Sequence, residues 1–153
     1  MPNVIAIMNE SLADLNVDGP FETSEDYLPF IHSLTKNTIK GKLYVSIEGA
    51  NTANSEFEFL TGNSLAFFAP RAVPYNNYVK GVVPSLTRTL VSQGYMGNNS
   101  YHPYKRSGWN RENVYNSLGF NHFYSMEYYK KPEFIRNFIS DKTVLLVVQY
   151  SLF

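Results

Sequence analysis

Asn51-Thr52-Ala53-Asn54-Ser55-Glu56-Phe57-Glu58-Phe59 is the stretch on which the reading of this chain turns. Before it runs Lys42-Leu43-Tyr44-Val45-Ser46-Ile47, apolar and strand-like, and the short turn Glu48-Gly49-Ala50 separates the two. After it the pattern becomes helical, with Phe57, Leu60 and Leu65 apolar and Gly62 as a stop. Thr52 therefore falls where a strand gives way to a helix. Asn, Thr and Ser favour such positions because their side-chain oxygens accept hydrogen bonds from the first free helix N–H groups. The same N–H groups and the positive end of the helix dipole attract anions. Two readings follow from the local sequence: a hydroxyl that caps the helix, or a nucleophile facing a phosphate.

The flanking sequence builds the fold around this junction. Val4-Ile5-Ala6-Ile7-Met8 is a continuous apolar run, as suits a central parallel strand covered on both faces. It ends in Asn9-Glu10-Ser11, which puts a carboxylate where open α/β sheets place their ligands. Residues 14–26 read as loop. Tyr27–Thr35 reads as a helix with Phe30, Ile31 and Leu34 on one side and a solvated His32 on the other. The second strand is expected over Ile39–Ile47. Asn63–Pro84 is long, irregular and aromatic, which argues for packed order rather than disorder.

Pro84–Gly94 has the stripe of a helix, Leu86, Leu90 and Val91. Tyr95–Asn99 then reads as a short strand. His102-Pro103-Tyr104-Lys105-Arg106-Ser107-Gly108-Trp109-Asn110-Arg111 follows it and combines an imidazole, an indole and several cations. A helix begins near Trp109 or Asn110, with Val114, Tyr115 and Leu118 inward and Gly119 as stop. Phe120–Tyr124 is apolar and short, and His122 within it reads as packing or surface. Pro132–Ile139 is expected as a last helix and Thr143–Val148 as a buried β-branched strand. Strands alternate with helices, the order of an α/β fold with a mostly parallel sheet and helices on both faces.

Bulk properties narrow the function. The chain has 153 residues, the length of one domain. Thirteen Lys and Arg balance thirteen Asp and Glu, so no long-range field advertises nucleic acid. Cysteine is absent, which excludes disulfides and thiolate metal sites. The apolar start is too short for a signal peptide and has no basic leader, and no run approaches the ~20 apolar residues of a membrane span. As given, the chain reads as soluble. An ending soon after an interior strand is unusual for a doubly wound domain, so a fragment is expected.

In a parallel sheet, Glu10, Thr52 and the His102–Arg111 segment all follow strands and so meet at one edge. A carboxylate and a hydroxyl can hold a hard divalent cation, which lowers the hydroxyl pKa and shields an incoming phosphate. Arginine suits bidentate phosphate contacts.

Asn3 through Ser11, Asn51-Thr52-Ala53-Asn54-Ser55-Glu56-Phe57, and His102 through Trp109-Asn110-Arg111-Glu112-Asn113-Val114-Tyr115 together resemble the lipoteichoic acid synthase family. Its members are phosphoglycerol transferases with a sulfatase-like domain of the alkaline phosphatase superfamily, and the resemblance runs in order from Asn3 to about Phe123. It implies that residues 1–153 are the N-terminal part of one sulfatase-like catalytic domain, without the family's C-terminal part or transmembrane helices. It implies a nucleophilic Thr52 that carries a phosphoglycerol intermediate. It implies a metal held by Glu10 and Thr52, manganese or alternatively magnesium, and phosphoglycerol bound by His102, Trp109 and Arg111. The implied donor is a phosphatidylglycerol-type lipid headgroup and the acceptor a glycolipid or glycan. The implied place is the extracellular face of the cell membrane.

The family completes its metal site with an Asp-His pair further along than this sequence reaches. The chain alone is therefore expected to bind metal weakly and turn over little. Two alternatives stand beside the transferase: a sulfatase- or phosphodiesterase-like hydrolase, and an inactive fragment with residual headgroup or glycan binding. A sulfatase proper needs a C/S-x-P-x-R pattern for its formylglycine, and that pattern is absent.

Overall fold

The computed structural model describes residues 1–47 and 51–152. The turn expected at 48–50 lies outside the described residues. The chain divides into two compact units, Ala6–Val45 on one hand and Met1–Ile5 with Ser46–Phe153 on the other.

The smaller unit has little regular structure: a 3-10 turn at Leu15–Asp18 and one short helix, α1, at Pro29–Ser33. Pro29 fits there because its missing N–H falls among the helix's unsatisfied donors. His32, expected as a solvated residue, is 32% exposed and also pairs with two carboxylates. Its Nδ1 lies 2.7 Å from Asp26 and its Nε2 3.5 Å from Asp14. Tyr27 donates to Asp14 at 2.5 Å and meets the His32 ring edge to face. Side-chain pairing thus organises this unit where apolar burial does not, and Phe30 on α1 is exposed.

The larger unit holds α2 (Thr52–Thr61), α3 (Pro74–Asn77), α4 (Leu86–Ser92), β1 (Asn99–Tyr101), α5 (Arg111–Leu118), β2 (His122–Tyr124), β3 (Phe134–Ile135), β4 (Phe138–Ile139) and α6 (Asp141–Tyr150). Its core forms where two amphipathic faces meet. Ala53, Phe57 and Leu60 recur at helical spacing along α2, and Val114, Tyr115 and Leu118 do so along α5. Tyr75, from α3, stands edge to face against both Phe57 and Tyr115, and edge-to-face rings are the favoured aromatic geometry. The long aromatic segment before Pro84 is ordered, as expected, because Phe68, Val73 and Tyr75 pack into this core.

β1 and β2 pair in parallel, Ser100 opposite Phe123, with α5 as the crossover. Gly119 ends α5 at φ +90°, and a Cβ there would stand 2.7 Å from the Arg88 side chain. Only glycine satisfies both constraints. That close approach lets Arg88 donate to the Ser117 carbonyl at 2.9 Å and tie α4 to the end of α5.

Several expected elements differ. Neither Val4–Met8 nor Ile39–Ile47 is a strand, and their apolar side chains are largely exposed. A buried parallel strand needs hydrogen-bonded neighbours and cover on both faces, and among the described residues only β1 and β2 pair in parallel. The expected strand at Tyr95–Asn99 begins only at Asn99. On α4 the buried residue is Thr87, while Leu86 and Val91 are exposed.

Pro132–Ile139 is a hairpin rather than a helix. Arg136 and Asn137 both have positive φ between β3 and β4, as a two-residue mirror-image turn requires. Thr143–Val148 is helical, not extended. The Ser140 hydroxyl accepts from the Thr143 N–H at 3.2 Å and Asp141 sits in the first turn, so a strong N-cap overrides the β-branched run.

Candidate active site

Asn51, in the left-handed region at φ 79°, is the N-cap of α2, and Thr52 is the first helical residue. The threonine is therefore not the cap. It is half-buried at the helix N-terminus, where free N–H groups and the helix dipole favour an anion.

One turn further on, on the same face of α2, stands Glu56. Its carboxylate is surrounded by donors. Arg111 donates Nε and Nη2 to Oε2 at 3.1 and 3.0 Å. The other oxygen accepts from the Tyr75 hydroxyl at 3.1 Å and from the Tyr115 hydroxyl. Arg111 opens α5 and is only 3% exposed. Burial is the largest single influence and opposes its charge, but Glu56, Tyr115 and Tyr75 together more than offset it and hold the guanidinium pKa above its ordinary value. Burial, then the Glu56 charge, pushes the Tyr75 and Tyr115 hydroxyls far above the tyrosine range, so both remain donors.

His102 follows β1 and extends the parallel ladder, its N–H donating to the Tyr124 carbonyl at 2.8 Å. The ring Nδ1 accepts from the Tyr104 N–H at 3.1 Å, which leaves the proton on Nε2. Burial and the nearby Arg111 charge lower its pKa to about 4, so it is a neutral donor at neutral pH. Trp109 and Asn110 both lie in the left-handed region, φ 53° and 54°, immediately before α5. Asn110 is anchored, donating to the Tyr75 carbonyl at 3.3 Å and accepting from Asn113 at 2.7 Å. Trp109 is 38% exposed.

The larger unit thus carries four of the five residues singled out in the sequence. His102 feels the Arg111 charge, Trp109 lies two residues before Arg111, and Thr52 connects to Arg111 through Glu56. Glu10 is exposed and belongs to the smaller unit. Among the described residues no three of His, Asp and Glu gather as a metal site would require. Carboxylate and hydroxyl oxygens suit manganese or magnesium in kind, but two donors fall well short of about six, so these residues do not by themselves fit the ion.

Glu56 is the residue that the sequence reading passed over. A charged residue four positions after Thr52, between the buried Ala53, Phe57 and Leu60, was the available signal.

With this geometry in view, comparison with known proteins places the chain. The Sulfatase family profile matches residues 2–149, and the chain belongs to that family. Over 126 residues it is 36% identical to a Rhizobium meliloti (strain 1021) protein assigned by name to cyclic beta-1,2-glucan modification; the match covers 82% of this chain and 19% of that protein. Two solved structures share the fold. The lipoteichoic acid synthase LtaP of Listeria monocytogenes superposes with a TM-score of 0.59 at 23% identity, over 71% of this chain and 27% of LtaP. The Streptococcus pyogenes phosphoglycerol transferase GacH, solved with sn-glycerol-1-phosphate, gives 0.59 at 28% identity, over 69% of this chain and 29% of GacH. The resemblance read from the three sequence segments is borne out, and so is a sulfatase-like α/β fold. The chain spans less than a third of the length of each of these relatives. No helix among the described residues is long and apolar enough to cross a membrane.

Proposed function

We propose that this chain contributes the nucleophile and the phosphate-binding arm of a phosphoglycerol transferase. The observation that carries the reading is the link from Thr52, at the mouth of α2, through Glu56 to a buried Arg111 beside a neutral His102. It combines a hydroxyl at an anion-attracting helix end with an arginine held in one orientation and a neutral imidazole donor.

In the first step the Thr52 Oγ attacks the donor phosphorus. The Thr52 Oγ–P bond forms, the bond from phosphorus to the lipid alcohol breaks, and the threonine's proton ends on that alcohol. In the second step an acceptor hydroxyl attacks the same phosphorus, the Thr52 Oγ–P bond breaks, and the acceptor's proton returns to Thr52. Arg111 and the Nε2–H of His102 donate to the phosphoryl oxygens, and Trp109 packs against the glycerol. These donors count most where negative charge builds on those oxygens.

The donor is a phosphatidylglycerol-type headgroup, and the acceptor a glycolipid or glycan at the outer membrane face. The glucan modification assigned to the Rhizobium relative supports a carbohydrate acceptor. Glu10 in the smaller unit and Thr52 in the larger each carry an oxygen of the kind that manganese or magnesium accepts. A bound ion would supply charge neutralisation at the phosphate, and no step above is routed through it.

The test uses the intact protein. Incubation with a phosphatidylglycerol analogue, then mass spectrometry, should find a phosphoglycerol adduct on Thr52 that Thr52→Ala abolishes. An unchanged rate in Thr52→Ala overturns the reading. Release of free glycerol phosphate with no transfer to any added glycan would instead assign the protein to the hydrolases.

A further inference from the structure

Arg111 can offer a phosphate only the part of its guanidinium that Glu56 does not occupy. Nε and Nη2 are taken, at 3.1 and 3.0 Å. Nη1 makes no hydrogen bond among the described residues and lies 3.8 Å from where a Cβ would stand on Gly108. Which edge is presented, and in what direction, is therefore decided by the carboxylate.

That carboxylate is itself fixed from both sides. Its second oxygen accepts from Tyr75 and Tyr115, whose rings are packed edge to face in the core. Its backbone is one helical turn from Thr52, so α2 carries both the attacking hydroxyl and the group that aims the arginine. A rigid helix turn is a better ruler than a loop, and catalytic groups tolerate only small misplacement.

We propose that Glu56 is a positioning residue, which orients Arg111 so that its Nη1 edge meets the phosphoryl group attacked by Thr52. Glu56 touches no substrate atom and acts only through Arg111. The inference rests on the phosphoglycerol reading of the site and adds to it the element that sets its geometry.

The test compares the parent chain with Glu56→Asp and Glu56→Gln. Glu56→Asp keeps the charge and shortens the reach by one methylene, so it remains informative where Glu56→Gln is too destabilised to fold. Thermal unfolding identifies which variants are folded. One readout is ligand-free: the Arg111 Nε–Hε signal in 15N NMR, expected as a single slowly exchanging resonance in the parent and a broadened one in the variants. The other is affinity for sn-glycerol-1-phosphate by NMR titration, expected to weaken about tenfold in a folded variant.

Loss of both the ordered signal and the affinity supports the inference. Parent-like affinity despite a broadened signal overturns it. So does weakened affinity with the signal intact, because Glu56 would then act by another route, and so does a folded variant that behaves like the parent in both. Failure of the parent chain itself to bind the probe overturns the phosphoglycerol reading, and the inference with it.

Discussion

Glu56 and Arg111 form a buried, two-pronged ion pair that joins helices 55 residues apart in the chain, with side-chain exposures of 13% and 4%. Isolated, either charge would be costly in this environment. Together, with Tyr75 and Tyr115 completing the carboxylate's shell, they are satisfied. Such a pair adds little net stability compared with apolar packing, because desolvation offsets most of the attraction. Its retention in a small core is better explained by geometry than by stability.

That asymmetry gives the first prediction. Arg111→Met leaves the Glu56 carboxylate buried without its cation and should cost about 3–5 kcal/mol. Glu56→Met with Arg111→Met removes both charges and should recover most of that loss. Urea unfolding of the parent, the single variant and the double variant measures it. A double variant no more stable than the single one would mean that the pair itself holds α2 to α5.

His102 gives the second. An unfolded histidine takes up a proton near pH 6.5, whereas the folded ring, buried beside Arg111, does so only near 4. Between those values the unfolded state binds more protons. The stability tied to the neutral ring is therefore complete above about pH 6.5 and is lost as the pH falls towards 4. The loss between pH 7 and 4 should be on the order of 1–3 kcal/mol larger in the parent than in His102→Gln. Unfolding free energies at several pH values give the comparison, and parallel curves would show that the ring is not held neutral.

Trp109 gives the third. A bulky residue at φ 53°, followed by Asn110 at 54°, is an uncomfortable backbone and costs on the order of 1–2 kcal/mol per residue. Trp109 is 38% exposed, so the buried part of its ring offsets that cost. Trp109→Gly relieves the strain but loses the buried part of the indole, so the unfolding midpoint should shift little, while binding of sn-glycerol-1-phosphate weakens. A variant that is both stabilised and binds as the parent does would make the indole dispensable.

The helices of the fold were more legible in the sequence than its strands. Thr52, His102, Trp109 and Arg111 stood out as chemistry-bearing residues at element boundaries, and they do lie at the start of α2, after β1 and at the start of α5. The helical core was visible in the spacing of Ala53, Phe57 and Leu60 and of Val114, Tyr115 and Leu118. Short apolar runs were not, since four to eight apolar residues serve strand or buried helix equally well. In 140–150 the cap at Ser140 decided for helix. In 134–139 the positive φ of Arg136 and Asn137 closes a hairpin between two Phe-Ile pairs, each too short to show a strand alternation. Glu56 was missed because a lone carboxylate near an apolar stripe has no sequence signature until its partner, far along the chain, is brought beside it.

The metal provides the last prediction. Glu10 and Thr52 each offer one oxygen donor, from different units of the chain, and among the described residues no three of His, Asp and Glu gather as a metal site requires. Manganese and magnesium reach useful affinity by replacing most of a six-fold water shell, and two donors replace too little of it to offset the ion's dehydration. Calorimetric titration of this chain with Mn²⁺ should therefore give a Kd of ~10⁻⁴ M or weaker. Glu10→Gln should weaken it further. Micromolar binding by the chain alone would show that its own residues complete the site, and would also reverse the expectation that it turns over little.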